Sequence, residues 1–314
     1  MHGLFVGLTT LDLIYLAAAP PEPNQKVVAQ DHLISGGGPA TNAAVAFAHL
    51  SSKSKTSEQA RGNSNCKLIT ALGNHELASL ISADLGKYGV EIIDLAADRQ
   101  DPPPMSSIVV SQDTGERSVI SVNATGRQIP LTQLARLNFD PLAGVEVVLI
   151  DGHQMDISAK IAQMAKTRQI PVVVDGGSWK EGFEQVLKDC DYAICSSNFL
   201  PPGCFSEADV CEFLSQLGVR NMAITKGAAL INYKSGDRRG EIAVPTVKVI
   251  DTLGAGDIFH GAFCYYLAQQ NLAAPELDLA IDSAQKFTIA LKQASAIAAR
   301  SCQFFGTRKW MQDD

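Results

Sequence analysis

The segment richest in chemistry is Asp251-Thr252-Leu253-Gly254-Ala255-Gly256-Asp257, followed by Ile258, Phe259, Ala262, Phe263, Tyr266 and Leu267 at helical spacing. A glycine turn therefore opens a buried helix. Side chains no larger than a methyl at 254–256 leave the backbone N–H groups open to a ligand, and the helix N-terminus adds positive potential, so the turn suits an anion or phosphate. Asp257 stands where that seat meets the helix. A carboxylate there would repel a phosphate unless it has a task, and the natural task is accepting the proton of an attacking hydroxyl. Taken alone, the segment reads at least as well as a tight turn with Asp257 capping the helix.

A second cluster, Gly36-Gly37-Gly38-Pro39-Ala40-Thr41-Asn42-Ala43-Ala44, also precedes a helix. It has neither the lysine of a Walker loop nor the spacing of a dinucleotide fingerprint. Its glycines let a substrate approach the backbone closely, and Asn42 offers a donor and an acceptor to vicinal hydroxyls. By itself it reads more readily as a plain loop with an Asn cap.

Both clusters need a scaffold, and the chain supplies an alternating one. Leu4–Leu8, Lys67–Thr70, Val145–Ile150, Pro171–Val174, Tyr192–Cys195 and Met222–Thr225 read as buried strands, and Asn42–Leu50, Leu77–Tyr88 and Ile157–Arg168 as helices. This alternation predicts an α/β fold with a mainly parallel sheet covered by helices on both faces, and sites in such folds lie beyond the carboxyl ends of strands. The loops expected to matter are then Thr9-Thr10-Leu11-Asp12, Asp151-Gly152, Asp175-Gly176-Gly177 and Lys226-Gly227. Lys26–Ser35, Ser106–Ser111 and Arg117–Asn123 read as short strands of a small β appendage, the last two joined by a turn at Asp113-Thr114-Gly115-Glu116. Residues 51–65 are polar and predict an exposed insertion.

Composition bounds the partners. With 26 Lys+Arg against 33 Asp+Glu in 314 residues and 46% hydrophobic residues, the chain has material for a large core and no basic field for nucleic acid. The seven cysteines (Cys66, Cys190, Cys195, Cys204, Cys211, Cys264 and Cys302) form no C-x-x-C and read as reduced thiols. The apolar run ending at Ala17-Ala18-Ala19 imitates a secretory signal, but Asp12 interrupts it and no Lys or Arg precedes Lys26, so a cytoplasmic protein without a membrane span is expected.

Together, DTLGAGDIFHGAF and GGPATNAA resemble the two characteristic motifs of the ribokinase (PfkB) family of carbohydrate and nucleoside kinases. Leu11-Asp12, Ala71-Leu72-Gly73, Leu85–Val90 and Ala294–Gly306 fall in family order, so the likeness spans nearly the whole chain. It implies one ribokinase-like three-layer α/β/α domain over residues 1–314, with a β-sheet lid from about 13–35 and 102–123. It also implies ATP and Mg²⁺, a catalytic base at Asp257, and an anion hole at Gly254, Ala255 and Gly256. Sugar contacts would fall at Asp12, Gly37, Gly38 and Asn42, with Arg117 added from the lid. The nucleotide side would include Thr225 and Gly227, besides Gly254 and Gly256, with Ala294, Ala298 and Gly306 in the wall around adenine and ribose. Asp251 and Thr252 match a monovalent-cation (K⁺) position. A homodimer through the lid is the expected partner arrangement.

One departure stands out. The family's Asn-x-x-Glu, whose glutamate organises magnesium, is replaced by Ser196-Ser197-Asn198-Phe199-Leu200-Pro201-Pro202, and Glu207 is a candidate substitute that nothing else in the sequence requires. Asp175-Gly176-Gly177-Ser178-Trp179, Leu253 and Thr114–Ser118 resemble most the ketohexokinase and fructokinase branch. Two other readings stay open: a nucleoside kinase, and a non-catalytic relative that binds nucleotide or sugar. An NAD-dependent oxidoreductase is disfavoured because no G-x-G-x-x-G follows the first strand.

Overall fold

The computed structural model describes residues 1–53, 65–122, 128–272 and 282–312. In chain order its strands are β1 (Gly3–Val6), β2 (Thr10–Ala17), β3 (Asp31–Gly37), β4 (Cys66–Thr70), β5 (Val90–Asp94), β6 (Met105–Ser111), β7 (Arg117–Val122), β8 (Val147–Ile150), β9 (Val172–Gly176), β10 (Tyr192–Ser196), β11 (Asn221–Thr225), β12 (Ile231–Ser235) and β13 (Arg238–Ile242). The helices are α1 (Pro39–Lys53), α2 (Glu76–Lys87), α3 (Leu131–Ala135), α4 (Met155–Thr167), α5 (Phe183–Leu187), α6 (Glu207–Gln216), α7 (Ala255–Leu272) and α8 (Ser283–Ser301), and a 3-10 turn follows at Lys309–Met311.

Ten of these elements reproduce the apolar runs of the sequence, and burial on both faces explains why those runs are continuous. In β1, Phe5 joins the core under α1, α7 and α8, whereas its neighbours Leu4 and Val6 join the core under α4, α5 and α6. Each fully buried Phe or Leu of this kind stabilises the fold by roughly 1.5–3 kcal/mol. The large sheet runs β13-β12-β11-β10-β9-β8-β1-β4-β5. It is parallel from β11 to β5, and the β12–β13 hairpin adds two antiparallel strands at one edge. The expected helix–sheet–helix layering is therefore present. A capping box between Asp282 and Gln285 starts α8, which lies along α7.

A separate four-stranded sheet, ordered β3-β2-β6-β7, forms the lid. Its outer pairs are antiparallel and its central β2–β6 pair is parallel. The strand expected over Lys26–Ser35 begins only at Asp31, because residues 26–30 have no ladder partner. Thr10-Leu11-Asp12, expected as a loop after the first strand, are instead the start of β2. The reason is that β2 is paired on both sides along most of its length, so the chain leaves the large sheet within Gly7–Thr9 and enters the lid at once. Likewise Asp175 and Gly176 are the last residues of β9 rather than a loop. The apolar run that imitates a signal is β2 itself. Of the polar stretch 51–65, residues 51–53 form the last turn of α1, and 54–64 lie outside the described residues, as does Asn123. The cysteines are free thiols, five of them buried. Among the described residues, no helix is long and apolar enough to cross a membrane.

Candidate active site

The carboxyl ends of β8, β9, β10 and β11 lie side by side along one edge of the large sheet, and the first turn of α7 rises next to them. Gly254 has φ +69°, a left-handed conformation, and a Cβ there would come within 2.6 Å of Thr307 Cγ2. This turn lets Ile258 N–H reach Gly254 O (2.8 Å) as the first helical hydrogen bond of α7, so the N–H groups of Gly256 and Asp257 precede the intrahelical ladder. Ala255 and Gly256 add no bulk, and nothing lies within 4 Å of the position a Gly256 Cβ would take. The turn expected to seat an anion thus leaves the N–H groups of Gly256 and Asp257 outside the helical ladder.

Asp257, on the first turn of α7, is partly exposed. Its Oδ2 accepts one hydrogen bond, from Asn42 Nδ2 at 2.8 Å. Burial pushes its carboxyl up, the Asp175 carboxylate adds to that, and Asn42, His260 and Arg117 only partly oppose it, leaving a pKa of about 7. Such a group is poised to take a proton near neutrality. His260, one turn further along α7, is buried with its ring nitrogens against Gly256 O (2.7 Å) and Ile194 O (3.1 Å) and with Asp175 at 3.4 Å. It packs inside the fold and does not face the cleft.

The sugar-side candidates converge on the same floor. Asp12 is buried on β2, and its Oδ1 accepts from Thr10 Oγ1 at 2.6 Å. Burial raises its carboxyl, against hydrogen bonds from Thr10 and Ser106 and the charge of Arg308. Gly37, on the neighbouring strand β3, has room for no side chain, because a Cβ there would collide with the Asp12 carboxyl. Gly38 turns the chain with φ +96° into α1, whose first turn carries Asn42. Asn42 does not present both ends of its amide, as its residue type alone allows: its oxygen accepts from Arg308 Nη1 at 2.9 Å while its NH₂ group faces Asp257.

Arg117, exposed at the start of β7, donates from Nη1 to Thr252 Oγ1 at 3.2 Å and so brings positive charge to the loop before the anion seat. Thr252 Oγ1 also donates to Gly115 O (3.2 Å), which docks the lid turn on that loop. Asp251 is buried, and its carboxylate accepts from Leu253 N–H (2.8 Å) and Gly306 N–H (2.7 Å). Both side chains at the expected K⁺ position are therefore engaged within the protein.

Of the residues expected on the nucleotide side, Thr225 ends β11 and Gly227 follows with φ +61°. Ala294 is fully buried in the core between α8 and α7, whereas Ala298 keeps partial exposure and Gly306 is tied to Asp251. Glu207 is paired with Lys226 and accepts from Asn232 Nδ2 at 2.8 Å, and these contacts hold its carboxyl below the usual range, the Lys226 hydrogen bond most of all. It is committed to the β11–β12 edge. Among the described residues no group of three or more His, Cys, Asp or Glu could hold a metal by itself. Trp179 stacks among Phe183, Phe199 and Phe213 as a core-edge aromatic. Sequence reasoning missed Arg308, Asp84 and the role of Asp151. Asp151 is buried at the end of β8 and accepts from Leu8 N–H (2.9 Å), Ala40 N–H (3.1 Å) and His153 N–H (2.9 Å).

A family model described as pfkB family carbohydrate kinase matches residues 3–313. Ribokinase from Lactococcus lactis is 23% identical over 281 residues, covering 88% of this chain and 87% of that one. Ketohexokinase from Mus musculus is 22% identical over 286 residues, covering 85% and 89%. Among solved structures, fructokinase with bound ATP from Xylella fastidiosa superposes with a TM-score of 0.73 at 19% identity, covering 98% of this chain and 94% of that one.

Proposed function

Because the chain belongs to the pfkB family of carbohydrate kinases, we propose that it transfers the γ-phosphoryl group of MgATP to the primary hydroxyl of a ketose or similar furanose-forming sugar, with Asp257 as general base. The single observation that carries this reading is Asp257 itself, a carboxylate with a pKa of about 7 on the first turn of α7, beside backbone N–H groups that precede the helical ladder.

The proton of the sugar hydroxyl passes to Asp257 as its oxygen bonds to the γ-phosphorus, and the bond from that phosphorus to the β–γ bridging oxygen breaks to release ADP. N–H groups of Gly256 and Asp257 and the dipole of α7 stabilise the charge on the transferring group. Asp12 and Asn42 orient the sugar, and Arg117 arrives with the lid. Magnesium enters with the nucleotide, as part of the substrate, and neutralises phosphate charge. Thr225 and Gly227 border the nucleotide at the end of β11. Closure of the lid excludes water, which would otherwise accept the phosphoryl group.

A bare sugar suits this site better than a nucleoside. Along β2, the residues alternating with Asp12 on its own face are Thr10, Ile14 and Leu16, none aromatic. Ile14 and Leu16 are packed against Ile108, Val110 and Phe305, so the face offers a base no aromatic platform. The ketose assignment is further supported by the similarity to ketohexokinase and fructokinase. ADP release measured across ketoses, aldoses and nucleosides tests it. A ketose with kcat/KM about tenfold or more above every nucleoside, a difference of roughly 1.4 kcal/mol, is the expected result, and a nucleoside ranking first overturns the substrate assignment. Calorimetric binding of sugar and ATP with no sugar phosphate by phosphorus NMR would favour a non-catalytic relative instead.

A further inference from the structure

Arg308 sits just beyond α8, in a Thr-Arg-Lys stretch that carries no motif, yet it is only 3% exposed. Its guanidinium is committed at every nitrogen. Nη1 donates to Asn42 Oδ1 (2.9 Å) and Thr307 Oγ1 (2.9 Å), Nη2 to Gly36 O (2.6 Å) and Asp84 Oδ2 (3.3 Å), and Nε to Asp84 Oδ2 (3.4 Å). Its planar face lies 5.7 Å from the centroid of the Tyr88 ring. Asp84 Oδ2 also accepts from Gly36 N–H at 3.0 Å. One cation thus ties together the end of lid strand β3, helix α1 through Asn42, helix α2 through Asp84, and Thr307, whose methyl fills the space beside Gly254.

We propose that Arg308 is a positioning residue for phosphoryl transfer: it fixes the orientation of the Asn42 amide, so that the NH₂ group of Asn42 holds the Asp257 carboxylate. Donor and acceptor identity decides which way the amide lies. A guanidinium only donates, so the amide edge facing it must be the oxygen, and the opposite edge, turned to Asp257, must be the NH₂. Without Arg308 the amide is free to rotate, and Asp257 loses its one side-chain donor. The other groups facing Asp257 cannot replace it. Asp175 on β9 repels its charge, while His260 on α7 and Arg117 on β7 act on it as charges rather than as hydrogen-bond donors. Behind Asn42, the groups around Arg308 are Asp84 and Tyr88 from α2 and Asp12 from β2. Asp84 and Gly36 anchor the guanidinium. A lysine at 308 can still pair with Asp84, but a single ammonium cannot reproduce the fork that spans Asp84, Gly36 O and Asn42 Oδ1.

The inference rests on Asp257 being the base, and its test separates the two. In the full chain, Arg308→Lys should lower kcat about tenfold and move the acidic limb of log kcat against pH upward by about half a unit or more, since the ionised base has lost a donor. In an Asn42→Ala background the same substitution should leave the limb where it is. A limb in Arg308→Lys that coincides with wild type, or one that moves equally far without Asn42, overturns the proposal and leaves the base assignment intact. Wild-type protein gives a readout independent of both turnover and folding of the variant. The Asn42 side-chain NH₂, assigned by its loss in Asn42→Ala, should show ¹⁵N and ¹H shifts that follow a titration near pH 7, because the hydrogen bond from Nδ2 to Asp257 strengthens as the carboxyl ionises. NH₂ shifts that ignore this titration would also overturn it.

Discussion

Two carboxylates lie near the carboxyl ends of the central strands, Asp151 at the end of β8 and Asp257 on the first turn of α7, and their surroundings drive them in opposite directions. Burial pushes the Asp151 carboxyl up, but His153 beside it and the N–H of Leu8 more than reverse that, holding it at about 2. Three backbone N–H groups point at its two oxygens, and His153 Nδ1 lies 3.1 Å away. Asp257 receives one side-chain donor, has Asp175 for a neighbour, and rises to about 7. The same carboxyl chemistry thus gives a fixed anion in one place and a titrating group in the other. The difference lies in the neighbours: His153 and three backbone N–H groups favour the Asp151 anion, whereas Asp257 has one donor and the Asp175 carboxylate against it. A carboxylate saturated by backbone N–H groups is a structural brace, here joining the Gly7–Thr9 connection to the start of α1. One left short of donors can exchange a proton.

The sharpest way to break this comparison is to neutralise each group in turn. Asp257→Asn should lower kcat by roughly 10²–10⁴-fold, the range for loss of a general base. Its stability should not fall. A raised carboxyl pKa means the folded state resists ionisation, a penalty that grows as pH rises from about 4 and is complete above about 7, so the amide removes it and the variant should melt no lower than wild type at pH 8. Asp151→Asn should do the reverse. Its amide keeps one acceptor and turns a donor toward buried N–H groups, at about 1–3 kcal/mol for each group left unsatisfied. A fall of about 2–5 kcal/mol in unfolding free energy is expected from denaturant titration, with kcat of the folded protein within about tenfold of wild type. If Asp257→Asn destabilises and Asp151→Asn silences, the two roles are exchanged.

The sequence carried the Asp257 half of this contrast and hid the Asp151 half. Gly254-Ala255-Gly256-Asp257 is local, a turn followed by helical spacing, and the structure forms it within one stretch of chain. The wholly apolar runs such as Val147–Ile150 and Val172–Val174 were legible for the same reason, since burial on both faces leaves no polar alternation to decode. Asp151 accepts from residues 143 and 111 positions away, and Arg308 meets Asn42, Gly36 and Asp84 at separations of 266, 272 and 224. No window of sequence contains such contacts. The β12–β13 hairpin was missed because Ile231–Ser235 and Arg238–Ile242 are largely polar and half exposed, and β2 because Leu13-Ile14-Tyr15-Leu16 breaks strict alternation.

A gentler probe is pH. If Asp257 must be ionised to accept the proton, kcat/KM should rise about tenfold per unit up to a bend near pH 7 and then level, because this ratio reports the free enzyme. Asp151, already ionised far below that, contributes nothing to the bend. A profile flat from pH 5 to 8 under a rate-limiting chemical step would remove Asp257 from the proton-transfer role while leaving the brace at Asp151 untouched.

The smallest effect expected belongs to His153→Gln, which keeps a donor near Asp151 Oδ1 but loses the imidazole charge available in acid. The folded-state pKa of Asp151 is depressed, so its contribution is present above about pH 4 and disappears as pH falls toward 2. The shift from 3.8 to about 2 corresponds to roughly 2 kcal/mol in total, of which His153 supplies a part. At pH 7, where that contribution is fully present, the variant should lose only the part His153 supplies, about 1 kcal/mol, because the glutamine amide keeps a donor in place. Its acid-unfolding midpoint, followed by circular dichroism, should move up, because His153 is the largest of the influences that favour the Asp151 anion, and the Leu8 N–H and the glutamine amide replace it only in part. An unchanged midpoint would mean that those backbone donors alone hold Asp151 ionised, which would sharpen the distinction between the two carboxylates to one made by main-chain hydrogen bonds without help from a neighbouring charge.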